Sequence, residues 1–238
     1  MSRRKKLSNK TELKIYGLTN FVNEKTFSPI KASDVIKIAD AAINILTEIG
    51  MSDAPEELCD LILKHGGRLE GDRLIYPSSL IRNAIKKHQP IVLLAGQTVE
   101  NDLYVGGNYV YAGTGGAAPN LQKPKTNEYV PSKLKDLYNA ARLADRLTNI
   151  RFFSRSLVAG DIEDPLQFDL STAAASLAGT SKHVMVQASH WSHVIAIAEL
   201  CYKIAGGEKN FRKRPFLSLH VNHAVPPLRF DPASIKVM

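Results

Sequence analysis

The chain has 238 residues, 44% hydrophobic and 23% charged, which is the composition of an ordinary globule with a core of its own. Its formal net charge is +8, but residues 1–14 hold Arg3, Arg4, Lys5, Lys6, Lys10 and Lys14 against Glu12, so +5 sits there and +3 is spread over the rest. The body has no basic stripe with interleaved aromatics and no run of about 18 apolar residues, which argues against a nucleic-acid binder and against a membrane-spanning helix.

Residues 1–30 read as a loose, solvated basic tail rather than a binding arm. No apolar core follows the basic N-terminus, so the expected location is cytoplasmic. Ser33 is placed to cap a helix over 34–49, with Val35, Ile38, Ala39, Ala42, Leu46 and Ile49 on one face and Gly50 as its stop. Asp53 and Glu56 have capping-box spacing and Pro55 suits a first turn, so a second helix burying Leu58, Leu61 and Ile62 should end at Gly66-Gly67. Short strands on either side of Gly71-Asp72 form a predicted hairpin. Ser78 or Ser79 opens a short helix ending near His88, and Pro90 introduces an apolar strand over 91–95. A further hairpin is expected around Gly106-Gly107, pairing 102–105 with 108–112. Residues 31–108 thus read as a small α+β lead-in. Cys59 and Cys201, the only cysteines, both fall in helical patterns among apolar neighbours, so free thiols are expected.

The stretch 109–121 begins as a strand, with Val110 and Ala112 alternating against Tyr109 and Tyr111, and ends as a glycine-rich bend. Gly113, Thr114, Gly115 and Gly116 fit either a tight turn closing the strand or an anion-binding nest of successive N–H groups. They do not fit G-x-G-x-x-G, and no G-K-[ST] follows. Farther on, a hairpin turns at 123–126, and Ser132 is expected to cap a helix over 133–147 that buries Leu134, Leu137, Ala141 and Ala144. Strands near 151, 183 and 216 then recur at about 33-residue intervals, each of the first two followed by a helix (165–178 and 192–205), and Asp231-Pro232 looks like the start of another. That rhythm belongs to a β/α barrel or a doubly wound parallel sheet. With the strand near 110, about four of the eight barrel strands are present, so residues 109–238 are expected to form about the first half of a (β/α)8 TIM-type barrel, cut short.

In either arrangement ligands meet the carboxyl ends of the strands, here 111–116, 154–161, 187–191 and 220–223. The candidate substrate-binding residues are therefore Tyr111, Asp161, Gln187, Trp191, His220 and Asn222. Asp161 suits a general base or a partner for a cation. Trp191, the only tryptophan, is either a core aromatic or a face for a quaternary ammonium, with Tyr111 and Phe153 as companions. The pairs His190/His193 and His220/His223 have H-x-x-H spacing, but no cysteine or carboxylate completes a zinc set, so no metal is expected.

Several segments together resemble the trimethylamine methyltransferase family of corrinoid-dependent methyltransferases: Tyr111-Ala-Gly-Thr-Gly-Gly-Ala-Ala-Pro119, Asp136-Leu-Tyr-Asn-Ala-Ala-Arg-Leu-Ala-Asp145, and Pro226-Pro-Leu-Arg-Phe-Asp231, with the order 182–186 then 187–189 also fitting. The likeness runs from about residue 30 onward and covers about the N-terminal half of a full family member. It implies a β/α barrel that demethylates a methylated or quaternary amine, such as trimethylamine or a betaine, as in methylamine-based methanogenesis. The methyl group passes to the cobalt of a cognate corrinoid protein, so the cobalamin-type cofactor belongs to that partner and is not held tightly by this chain. One branch carries pyrrolysine in the second half of the barrel; a larger one, with the betaine enzymes, lacks it. An open half barrel is also expected to form homo-oligomers. Two alternatives stand beside this reading: a non-catalytic module binding an amine or a corrinoid protein, and a phosphate-binding barrel lyase or aldolase using Gly113, Thr114, Gly115 and Gly116 as its nest.

Overall fold

The computed structural model of the chain describes residues 30–107 and 109–238. The expected basic tail lies, but for Ile30, outside them. Helix α1 (Ala32–Asn44) passes into a π-helical turn (Ile45–Ile49) that Gly50 ends at φ +66°. A Cβ at Gly50 would run into the Leu74 carbonyl, which makes glycine obligatory at this close approach. The face expected to be buried is turned differently: Ile43 is its buried residue, while Val35, Ile38 and Ile49 are exposed. Ile36, in the first turns of α1, is exposed as well.

Strand β1 (Met51–Ser52), which the sequence pattern does not indicate, comes next; helix α2 (Glu56–Lys64), the antiparallel hairpin of β2 (Arg68–Glu70) and β3 (Arg73–Ile75), and helix α3 (Ser78–Lys87) then follow as that pattern indicates. The next pairing differs. Strand β4 (Ile91–Leu94) pairs antiparallel with β5 (Leu103–Gly106), so β5 is not the arm of a hairpin turning at Gly106-Gly107. Gly106, at φ +136°, lets the Pro90 carbonyl come against it where a Cβ would stand, and this contact sets the Ile91–Gly106 register.

Strand β6 (Ala112–Gly113) leads to the hairpin of β7 (Asn120–Gln122) and β8 (Tyr129–Pro131). Then come α4 (Leu134–Arg146), β9 (Ile150–Ser154), α5 (Pro165–Gly179), β10 (His183–Val186), α6 (Trp191–Ile204), α7 (Glu208–Lys213) and β11 (Leu217–Leu219). The chain continues through β12 (Ala224–Val225), β13 (Arg229–Phe230) and α8 (Pro232–Val237). Strands β6, β9, β10 and β11 form one sheet in which every neighbouring pair is parallel, and their order across the sheet is their order along the chain. The four strands do not close on themselves: β6 and β11 are the sheet's edges among the described residues. The architecture is mixed α/β.

Side-chain alternation divides the sheet. Phe153 packs with Leu137, Ala141 and Ala144 of α4, and Val184, Val186 and Leu217 pack with Ala173, Leu177, Ile197 and Cys201 of α5 and α6. This helix-covered face is the main core, and Cys201, like Cys59, is a free thiol, pushed up to about 11 by burial. The opposite face carries Phe152, His183, Met185 and Ser218. At the amino ends of the strands, the segment around Gln97 lies against the sheet. Gln97 Nε2 donates to the carbonyls of Leu177 (2.8 Å) and Thr180 (2.7 Å), and Gln97 N donates to that of Ser181 (2.8 Å). Lys182, only 4% exposed, closes α4: its Nζ donates to the carbonyls of Ala144 (2.6 Å), Leu147 (2.8 Å) and Ile150 (2.6 Å). The amino ends are thus sealed, and the carboxyl ends are the open side.

Strands β12 and β13 and helix α7 had no sequence signal. Strand β13 pairs parallel with β1, and Arg73 donates to the carbonyls of Ile49 (2.6 Å), Gly50 (2.9 Å) and Leu228 (3.2 Å), joining the early and late parts of the chain.

Candidate functional site

Beyond the carboxyl ends of β9, β10 and β11 lies a cavity of about 480 Å³, within the range of small-molecule sites. Arg155, Phe168, Asp169, Gln187, His220, Asn222 and Asp231 are among its walls. A second recess of about 190 Å³ shares Arg155, Gln187 and His220 and adds Gly116, Ser154 and Met185. The three shared residues are the first ones past the ends of three parallel strands, the place where sequence alone locates a ligand.

Of the residues singled out from sequence, Gln187, His220 and Asn222 line the larger cavity, and Gly116 lines the smaller. Tyr111, Asp161 and Trp191 lie elsewhere. Tyr111 precedes β6 and stacks on Tyr109, with ring centroids 6.4 Å apart. Asp161 Oδ1 accepts the Leu134 N–H at 2.8 Å and so caps α4. Ser132, the cap expected there, instead donates its hydroxyl among the carbonyls of Ala118, Pro119 and Val158 and pins two loops together. Trp191 is the first residue of α6, 47% exposed and tilted against His190, so it is neither a core ring nor a wall of the cavity. Phe153 is fully buried under α4 on the helix side.

The glycine bend has a structural task. A Cβ on Gly113 would run into the Phe152 ring. Thr114 Oγ1 donates to the Ser154 carbonyl (2.6 Å) and accepts its N–H (2.9 Å), stitching β6 to β9. The Thr114 N–H goes to the carbonyl of Phe152, and those of Ala117 and Ala118 just past the bend go to Arg155 and Ser156, tying the bend to the β9 loop. Gly115 faces open space and Gly116 takes φ +97°, the conformation that brings the backbone to the edge of the smaller recess.

Phe168 and Asp169 were not foreseen, and Arg155 and Ser189, though inside the strand-end stretches 154–161 and 187–191, were not named there as ligands. Asp169 is 2% exposed, and its Oδ2 accepts from Ser189 N, Ser189 Oγ and His193 Nδ1, each at 2.7 Å. Because the serine donates to the carboxylate and shares the same imidazole nitrogen, the trio is a positioning network and not a nucleophile with its base. Asp169 had a visible signal: it is the only charged residue in α5. Arg155 Nη2 donates to Gln187 Oε1 at 2.7 Å, and its guanidinium lies 5.5 Å from the centroid of the Phe168 ring. Burial lowers the Arg155 pKa and the Asp169 carboxylate opposes that shift; an arginine stays protonated regardless. Asp231 Oδ2 accepts from Ser234 Oγ (2.7 Å) and its Oδ1 from Ala233 N (3.2 Å), which fixes a second carboxylate at the rim. Nδ1 of His190 is engaged with Ser192 and that of His193 with Asp169, and no group of three His, Cys, Asp or Glu side chains suited to a metal ion occurs among the described residues. The cavity can hold a small polar molecule with a fixed cation and two fixed carboxylates in its walls.

The chain is 24% identical over 208 residues to a trimethylamine methyltransferase, MttB, of Desulfitobacterium hafniense (strain DSM 10664 / DCB-2), a match covering 87% of this chain and 40% of that protein. It is 22% identical over 206 residues to a glycine betaine methyltransferase of Desulfitobacterium hafniense (strain Y51), covering 86% of this chain and 42% of that one. The aligned region is thus well under half of either relative. The family model for trimethylamine methyltransferase (MTTB) matches residues 1–238, and the chain belongs to that family.

Proposed function

We propose that this chain supplies the first half of a β/α barrel whose mouth holds a methylated or quaternary amine, for transfer of a methyl group to a separate corrinoid protein. The observation that carries this is the convergence of three strand ends, through Arg155, Gln187 and His220, on adjoining recesses. Strands in chain order across a parallel sheet, with α4, α5 and α6 packed on one face of it, favour a barrel wall over a doubly wound sheet, which carries helices on both faces. In this reading residues 31–108 form the lead-in that closes the amino end, and the open edges at β6 and β11 pair with further barrel strands or with another copy of the chain. The protein is cytoplasmic in the same reading, and no described helix is long and apolar enough to cross a membrane.

A cavity of about 480 Å³ has room for an amine of a few heavy atoms. The corrinoid, brought by its own protein, supplies the nucleophilic cobalt. What this chain contributes is position: Gln187 and Asn222 present amides from beyond the ends of β10 and β11, and Asp169 from within α5 and Asp231 from the start of α8 present negative charge. A quaternary nitrogen has no N–H to donate, so its recognition is electrostatic and by shape.

The test is a titration of the isotopically labelled chain with trimethylamine and with glycine betaine, followed by NMR of the Gln187 and Asn222 side-chain amides. Both resonances are expected to shift and saturate together with one of these ligands. Unmoved amides at millimolar ligand would sink the assignment of the mouth as an amine site.

A further inference from the structure

We propose that Arg155 is the residue that selects the substrate's anionic end, so that the cavity takes a zwitterionic methylated amine carrying a carboxylate in preference to a simple alkylamine. This rests on the amine-binding reading of the mouth and adds to it a specificity-determining residue.

Arg155 lines both recesses from the end of β9. Its guanidinium plane is fixed on two sides, by the Gln187 Oε1 bond at 2.7 Å and by the Phe168 ring at 5.5 Å. Among the described residues no carboxylate lies within ion-pair distance of it: Asp169, whose charge it feels, has its Oδ2 turned to Ser189 and His193. One of the five guanidinium donors is thus committed to a side-chain acceptor, and a planar fork remains beside a polar cavity, the geometry that matches a carboxylate bidentately.

The same arrangement is unfavourable to a bare cation. Phe168 is the only phenyl, phenol or indole ring lining the larger cavity among the described residues, and the guanidinium already lies over it. An alkylammonium ion therefore meets a fixed positive charge on this wall of the mouth, and the one such ring among the described lining residues is already covered by the guanidinium. A zwitterion meets complementary charge at both ends, its carboxylate on Arg155 and its ammonium toward Asp169 and Asp231, which sit on α5 and at the start of α8.

The experiment is calorimetric titration of the whole chain at low salt with three probes: glycine betaine, its methyl ester, which keeps the cation and masks the anion, and tetramethylammonium. The unaltered chain should bind betaine at least about tenfold more tightly than the ester or tetramethylammonium, the scale of a charge-assisted hydrogen-bonded pair. Arg155→Gln should erase that preference while leaving tetramethylammonium binding equal or tighter, and Arg155→Lys should restore part of it. Equal affinity for betaine and its ester on the unaltered chain overturns the role of Arg155 and leaves the amine site standing. Absence of binding by all three probes overturns the amine site and this inference with it. The ester comparison needs no substitution, so it decides the matter even where Arg155→Gln fails to fold.

Discussion

His183 shows how one side chain ties the sheet to the rest of the molecule. It is buried on the face of β10 away from the helices, with Nδ1 2.8 Å from the Ala95 carbonyl and Nε2 2.9 Å from Ser218 Oγ. A carbonyl only accepts, so Nδ1 carries the proton and Nε2 accepts from the serine hydroxyl; both ring nitrogens are satisfied in the neutral form. Burial pushes the pKa below the ordinary 6.5, and the bond to Ala95 offsets this only in part. The folded pKa is depressed, so below about pH 6.5 the unfolded chain takes up a proton that the folded chain resists, and stability is lost as pH falls from 6.5 toward the folded value. Urea midpoints measured between pH 7.5 and 5.5 should therefore fall more steeply for the unaltered chain than for His183→Gln. At the upper pH that variant should itself be less stable by roughly 1–3 kcal/mol, the cost of disturbing a buried polar pair. Parallel pH slopes in the two proteins would show that His183 is not held neutral.

Helix α4 shows what an element needs beyond its own residues. Its buried stripe, Leu137, Ala141 and Ala144, was legible from spacing. Its start was not: the Lys133 N–H goes to Asp136 at 2.9 Å, and the Leu134 N–H goes to Asp161, which arrives from the loop after β9. Asp161→Ala is expected to cost about 1 kcal/mol, the usual value of an N-cap, and to leave amine affinity unchanged. A thermal midpoint and a betaine titration on the same variant check both halves; lost affinity with an unchanged midpoint would return Asp161 to the list of ligands. The contrast generalises to the other elements. The parallel strands were readable because β9, β10 and β11 are short apolar runs alternating with helices. The partner of β5 was not, because loop length and glycine content near Gly106 fit a hairpin as well as a return to β4, and only the Pro90 contact decides. Gln187, His220 and Asn222 followed from the rule of strand ends, whereas Trp191, four residues past Gln187, had already entered a helix whose first residue faces outward. Asp169 and Arg155 reach the cavity from a helix interior and from a loop, so their roles emerge only when α5 is packed beside β10.

For the molecule as a whole, the question is whether residues 31–108 behave as a part of the sheet's unit. Four sets of contacts cross between them and the later chain: Arg73 to Leu228, β1 to β13, Ala95 to His183, and the segment 96–102 to Thr180, Ser181 and Arg214. The last is the densest. Asp102, with its side chain 8% exposed, receives both guanidinium branches of Arg214, at 2.8 and 2.7 Å, and the Gly96 N–H at 3.0 Å. Arg214 is itself about one-third exposed, so water screens part of the pair, and the carboxylate's hydrogen bonds to Gly96 and to the fork matter more than the bare Coulomb attraction. Asp102→Ala should cost about 2 kcal/mol, between an exposed pair and a buried one, and should open the 96–102 segment, which lies across the amino ends of the strands. The unaltered chain is expected to unfold in one cooperative transition and to resist limited proteolysis in that segment. The variant should be cut there first, while its cavity at the other end of the sheet still binds ligand. Rapid release of a stable fragment near residue 100 from the unaltered chain would instead make the lead-in a free unit, and the seal it forms beneath the strands would then have no part in holding the mouth in shape.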